Sequence, residues 1–137
     1  MSTPARIMVD MSATLIHHGH IRILKAAKQM GTVVVALTTN EEVRAMKGYD
    51  PELDYEARKE ILQSIRYVDE VVPCKWMLDD AFLDEHRIDL LVHGSDNRNP
   101  VSPERLVTLP RTPGISSMLL RVRALEAISS MMRREVK

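Results

Sequence analysis

Three histidines crowd one short stretch, His17-His18-Gly19-His20, and imidazoles at that density are suited to donating hydrogen bonds to phosphate oxygens. His17 and His20 stand three residues apart, so a helix beginning at or just before His17 sets them on one face and turns His18 elsewhere. Gly19 lets a phosphate approach the backbone between them. The preceding segment, Ser12-Ala13-Thr14-Leu15-Ile16, feeds that helix start, where free N–H groups and the helix dipole favour an anion. Clustered histidines can also merely cap a helix or take up adventitious metal. A zinc centre is the weaker alternative, because Cys74 is remote and no carboxylate accompanies the cluster, so no metal-ligand set is assigned.

The elements around this cluster alternate. Arg6 to Met11 reads as a strand, and Ile21, Leu24, Ala27 and Met30 share one face of a helix that Gly31 is expected to cap. Thr32 to Thr38 is β-branched and apolar on both faces, as a strand inside a parallel sheet must be. Thr39 to Asp54 is polar, carries Gly48 and Pro51, and reads as a mobile loop; a helix with Ile61, Leu62 and Ile65 then starts near Asp54. Val71-Val72, Leu90-Leu91-Val92 and Leu106-Val107 are strand candidates, with a helical turn or two from Asp79 to His86. Ser116-Ser117 can cap a last helix with apolar positions Leu119, Leu120, Val122, Leu125, Ile128 and Met131 between Arg121, Arg123 and Arg133. This alternation predicts a three-layer α/β domain with a mostly parallel sheet of about five strands. Ligands of such sheets bind beyond the carboxyl ends of the strands, which directs attention to the loops after Met11, Thr38, His93 and Leu109.

Composition narrows the function classes. With 137 residues and 45% hydrophobic content, the chain is sized for one domain, residues 1–137, with one core. Lys plus Arg total 19 and Asp plus Glu total 19, so the basic excess of nucleic-acid binders is missing. The lone Cys74 excludes an internal disulfide, no run approaches the roughly 20 apolar residues of a membrane span, and the N-terminus lacks a signal-peptide pattern. A cytoplasmic location is the expectation.

The order HHGH after a first strand, then Arg111-Thr112-Pro113-Gly114-Ile115-Ser116-Ser117, resembles the HxGH and RTEGIS-type signatures of the cytidylyltransferase family. HGHIRILKAAKQMG, YEARKEIL and IRYVDEVVP resemble its glycerol-3-phosphate branch almost in register. The resemblance implies a Rossmann-like fold, a homodimer, and transfer of CMP from CTP, with Mg²⁺, to the phosphate or phosphonate of a small acceptor, releasing pyrophosphate. It implies that His17 and His20 hold the triphosphate, that Lys47 reaches the phosphates from its loop, and that Arg111 approaches the nucleotide or its outer phosphates. Ser12, Ala13, Gly19, Gly94, Asp96, Gly114, Ile115, Ser116 and Ser117 would complete the nucleotide site. Thr14, Arg58, Arg66 and Trp76 would face the acceptor, the two arginines serving either its phosphate or the dimer contact, although both arginines suit a solvated or ion-paired helix face and a lone tryptophan suits a core.

Some positions depart from the family pattern. Met11-Ser12-Ala13-Thr14 stands where the glycerol-phosphate enzymes carry Gly-Thr-Phe-Asp, Pro113 replaces a glutamate, and Ser95 replaces an acid. Val9-Asp10-Met11 and His93-Gly94-Ser95-Asp96-Asn97 are closer to cytidylyltransferase domains of phosphonate pathways, whose acceptors include 2-hydroxyethylphosphonate and 2-aminoethylphosphonate. An adenylyltransferase of the same fold and a nucleotide-binding module without turnover are the competing readings; a purely structural α/β dimerisation domain gives no reason for the residues gathered at two strand-to-helix loops.

Overall fold

Strand β1 (Arg6–Met11) buries Ile7, Met8 and Val9 in succession, and β2 (Thr32–Thr38) buries every side chain from Val33 onward. Successive strand residues point to opposite faces, so both strands need apolar cover above and below. The computed structural model describes residues 3–136 and shows that cover. β1 pairs in parallel with β2 from Arg6↔Thr32 to Met11↔Leu37, and on its other side with β4 (Leu90–Gly94) from Ile7↔Leu90 to Val9↔Val92. β3 (Glu70–Cys74) and β5 (Leu106–Leu109) close the edges, giving the order β3-β2-β1-β4-β5, all parallel.

Parallel neighbours require crossovers. These are α1 (His18–Lys28), α2 (Asn40–Lys47) with α3 (Tyr55–Gln63), and α4 (Asp80–Glu85); a 3-10 turn (Pro103–Arg105) leads into β5, and α5 (Ser117–Val136) follows it. One face packs Ile7, Val9, Val35 and Leu37 against Leu24 and Ala27 of α1 and Leu62 of α3. The opposite face packs Met8, Val34 and Leu91 against Leu78, Leu83 and Ile88 around α4. The strand order reverses between β1 and β4, and a crevice opens there at the carboxyl ends. Among the described residues no helix is long and apolar enough to cross a membrane.

Two local expectations change. Gly31 does not cap α1, which ends at Gln29 in a right-handed conformation. Gly31 is required by close approach instead: a Cβ there would lie 2.1 Å from the Ala5 carbonyl oxygen, which accepts the Thr32 N–H at 2.8 Å. The segment after Thr39 is not a loop throughout, because Thr39 caps α2 and Gly48, at φ +80°, ends it in the left-handed region. The apolar positions of α5 do not pack on the domain beyond its first turn; Leu119 and Leu120 are half-buried, whereas Val122, Leu125, Ile128 and Met131 are exposed.

Candidate active site

A cleft of about 1070 Å³ lies over the carboxyl ends of the strands, between the α1 start and the loop that follows β5. His17 is the N-cap of α1, and two imidazoles rather than hydroxyls or carboxylates complete its capping box. The Gly19 N–H donates to His17 Nδ1 at 3.0 Å, and the His17 N–H donates to His20 Nδ1 at 3.1 Å. Each neutral ring is thereby fixed in one tautomer, with its proton on Nε2, where it can donate to a ligand. Burial first, then the neighbouring His17 and Arg111, lower His20 to about 4; burial, His18 and Arg111 lower His17 as well. Both rings are therefore neutral Nε2–H donors at neutral pH, 4.0 Å apart between centroids. His18 is exposed and lies off the cleft.

The other nucleotide-site candidates divide. Ser12, Gly19, Gly94, Asp96, Arg111, Ile115, Ser116 and Ser117 line the cleft. Arg111 pairs with Asp96 at 3.0 Å; burial opposes ionisation of Asp96, but Arg111, a backbone hydrogen bond and His93 together outweigh it and lower its pKa. A Cβ on Gly94 would lie 2.8 Å from Asp96 Oδ1 and 3.4 Å from Arg111 Cγ, so the pair leaves no space for a side chain. Ser116 accepts the Leu119 N–H at 3.0 Å as the helix cap, and the Ser117 hydroxyl donates to the Leu15 carbonyl at 3.0 Å, fastening α5 to the histidine loop. Ala13 is 1% exposed and packs in the core, holding a left-handed φ of 46° beneath the loop. Gly114 lies off the cleft lining and supplies a turn at φ +77°.

Lys47 lines the cleft from the last residue of α2, a helical anchor in place of the expected mobile loop, with Nζ 5.5 Å from the Trp76 ring centre. Trp76 and the buried Thr14 also line it. Arg58 and Arg66 do not line the cleft. Arg66 is exposed and lies over the Tyr67 ring. Arg58 is 0% exposed and spends its donors on the protein: Nη1 on Ser12 O at 2.7 Å and Thr38 O at 2.8 Å, Nη2 on Asn40 Oδ1 at 2.8 Å, and Nε on Leu53 O at 3.0 Å. It ties together the ends of β1 and β2 beneath the cleft.

Two polar groups of the site escape sequence reasoning. Arg121, in the second turn of α5, grips both carboxylate oxygens of Glu52, donates to Thr14 Oγ1, and lies 4.8 Å from the Tyr49 ring centre. That hydrogen bond holds the Glu52 carboxyl below its usual range. Thr14, standing where the family carries an acid, is thus engaged by a cation already neutralised elsewhere. The second group is Asp10, His93 and Asn99. His93 Nδ1 lies 2.5 Å from Asp10 Oδ1, while Asn99 Nδ2 donates to Asp10 Oδ2 at 3.0 Å. A carboxylate directly after the apolar run Ile7–Val9 was the available signal for Asp10; its partner follows only from the β1–β4 pairing, since Asp10 and His93 each stand one residue past the Val9↔Val92 pair.

Residues 12–135 match the family model described as cytidylyltransferase-like. Glycerol-3-phosphate cytidylyltransferase of Bacillus subtilis (strain 168) is 38% identical, covering 78% of this chain and 87% of that protein. The protein of the same name from Staphylococcus aureus (strain NCTC 8325 / PS 47) is 35% identical, covering 85% and 92%. Ethanolamine-phosphate cytidylyltransferase of Mus musculus is 37% identical over 66% of this chain, a match that spans 23% of that protein. The crystal structure of the lipopolysaccharide core biosynthesis protein from Thermoplasma volcanium GSS1 shares the fold, with a TM-score of 0.67 at 20% identity over 79% of this chain and 98% of that one.

Proposed function

This chain belongs to the cytidylyltransferase-like family, and from that premise we propose that it transfers CMP from CTP to the phosphate or phosphonate of a small acceptor. The observation that carries the reading is the convergence on one cleft of two neutral Nε2–H donors, Lys47, Arg111 and the start of α5. An anionic oxygen of the acceptor attacks the α-phosphorus in line, the bond from that phosphorus to the bridging oxygen breaks, and the electron pair leaves with pyrophosphate. The acceptor oxygen is already ionised near neutral pH, so no general base is needed. Catalysis then rests on positioning and charge. His17 and His20 donate to the triphosphate without adding charge, Lys47 and Arg111 supply the cations, and the N–H groups at the start of α5 face the same phosphates. Mg²⁺ enters as the substrate Mg·CTP, carried on the triphosphate oxygens, since Asp10 and Asp96 are already engaged by protein donors.

The finer choice favours a phosphonate, with glycerol 3-phosphate as the alternative. The two segments that resemble phosphonate-pathway domains, around Asp10 and around His93, meet in one hydrogen-bonded pair beside the cleft. A homodimer is part of the proposal, supported by the uncovered apolar face of α5. The test is pyrophosphate release from Mg·CTP with glycerol 3-phosphate, 2-hydroxyethylphosphonate, 2-aminoethylphosphonate and phosphocholine, with ATP as the nucleotide control. Release that requires CTP and one acceptor, and that drops at least a hundredfold in His20→Ala, is the expected result. CTP binding without release for any acceptor would leave a nucleotide-binding module, and release from ATP alone an adenylyltransferase.

A further inference from the structure

Carboxylates are scarce in the cleft, and none is free. Among the described residues that line it only Asp10 and Asp96 carry one; Asp10 faces His93 Nδ1 at 2.5 Å and accepts from Asn99 Nδ2 at 3.0 Å, while Asp96 pairs with Arg111 at 3.0 Å. Cations line the same walls at Arg22, Lys47, Arg98, Arg111 and Arg121. The indole of Trp76 could hold an ammonium against its face, but Lys47 Nζ already stands 5.5 Å from its ring centre, so a second ammonium there meets a like charge. An acceptor that carries an ammonium finds no free counter-ion in this cleft.

Arg121 is the most enclosed of the paired cations, its side chain 17% exposed against 65% for Arg111. Glu52 accepts from its Nε and, at 2.7 Å, from Nη2, and Nη2 also donates to Thr14 Oγ1. Glu52 thus cancels the charge of the guanidinium, and none of these bonds uses Nη1. Thr14 is 3% exposed and lines the cleft; its oxygen accepts from Arg121, and nothing among the described residues accepts the proton of its hydroxyl. A compensated guanidinium and a hydroxyl proton offer hydrogen bonds without net charge. Such donors suit an uncharged oxygen, whereas an ammonium has no lone pair to receive them.

We propose that Thr14 and Arg121 form the subsite for the tail of the acceptor, the end away from the reacting phosphate or phosphonate, and select a tail that ends in a hydroxyl over one that ends in an ammonium. The assignment rests on the functional reading above and narrows its acceptors to the hydroxylated class. Glu52, which does not line the cleft, sets the charge of the subsite through Arg121. Removal of the guanidinium leaves that carboxylate bare behind Thr14 and turns a neutral subsite into an anionic one.

The probes are 2-hydroxyethylphosphonate and 2-aminoethylphosphonate, which differ in the terminal group alone. At saturating Mg·CTP, kcat/KM of the full chain should favour the hydroxyl acceptor by about tenfold or more. Thr14→Val, nearly isosteric, should raise KM for the hydroxyl acceptor about tenfold with kcat changed far less, and leave KM for the amine where it was. Arg121→Met should move the preference toward the amine, and adding Glu52→Gln should cancel that gain. A residue pair that merely held α5 in place would shift both acceptors together. Equal kcat/KM for the two acceptors in the unmodified chain overturns the assignment, as does a Thr14→Val change shared equally by both. Thr14→Val carries the test alone if loss of Arg121 unseats α5. Calorimetric titration of each phosphonate into the nucleotide-free chain reads the same ratio without turnover. A chain that binds the hydroxyl acceptor more tightly yet releases no pyrophosphate loses the activity and keeps the subsite; one that releases it equally from both keeps the activity and loses the subsite, and one that binds neither loses both.

Discussion

The two cleft imidazoles of the α1 capping box couple stability to pH with a definite sign. His20 binds its proton at about 4 in the folded chain against 6.5 for an unperturbed histidine. Between those values the unfolded chain holds the proton and the folded one does not, so stability is full above pH 6.5 and falls as pH drops toward 4. The displacement corresponds to about 3 kcal/mol. Urea midpoints from pH 4 to 7.5 should show this acid loss in the natural chain and a flatter profile in His20→Asn, whose amide can still accept the His17 N–H. Equal slopes would place the acid sensitivity elsewhere. Arg58 gives the complementary case of a buried cation whose donors are spent on the protein itself. Arg58→Lys cannot reach four acceptors with one ammonium, and it should destabilise the chain by about 3 kcal/mol as carbonyls at the ends of β1 and β2 lose their donor. A variant as stable as the original would show that water replaces the guanidinium there. The spacing of His17 and His20 was legible in the sequence because a motif three residues long needs only a helix start. The direction of Arg58 was not, since a helix gives an arginine two or three outward paths and only the packed neighbour β-strands choose among them.

At the scale of elements, the legible features were those whose cause is local. β2 reads as a doubly covered strand, and Asp54 caps α3 by accepting the Ala57 N–H at 2.9 Å. α2 was missed because Asn40–Lys47 contributes only one buried side chain, Val43, and its helix depends on the Thr39 and Gly48 ends more than on an apolar face. That difference moves Lys47 from a loop onto a fixed axis, so closure over the phosphates would come from its side chain and not from a swinging segment. Gly31 and Gly48 separate two reasons for glycine. Gly31→Ala must push Ala5 away from a Cβ 2.1 Å from its carbonyl and should cost about 3 kcal/mol. Gly48→Ala meets open space and pays only for the left-handed backbone, about 1 kcal/mol. Thermal or urea unfolding of the two variants settles the order; a larger loss at Gly48 would mean that the α1–β2 turn relaxes easily.

For the whole molecule, the alternation of strands and helices decided the architecture, because a parallel sheet with both faces apolar has few other solutions. What alternation cannot reveal is where α5 finds cover, since an amphipathic helix has the same pattern whether its apolar face meets its own domain or another chain. Val122, Leu125, Ile128, Met131 and Met132 are each between 42% and 65% exposed. A helix projecting so far without packing is marginal in water on its own. Two copies laid together along these faces would bury on the order of 1000 Å² in total, the lower end of what a specific interface requires. The expected species in solution is therefore a dimer of the 15.6 kDa chain, with a melting temperature that rises with protein concentration. Placing charges at the centre, Leu125→Glu with Ile128→Glu, both more than half exposed, should give a monomer by sedimentation while the sheet keeps its cleft and its affinity for CTP. A natural chain that sediments as a monomer at every concentration would remove the dimer. A double variant that still dimerises would move the interface off α5 and leave its apolar face for some other partner.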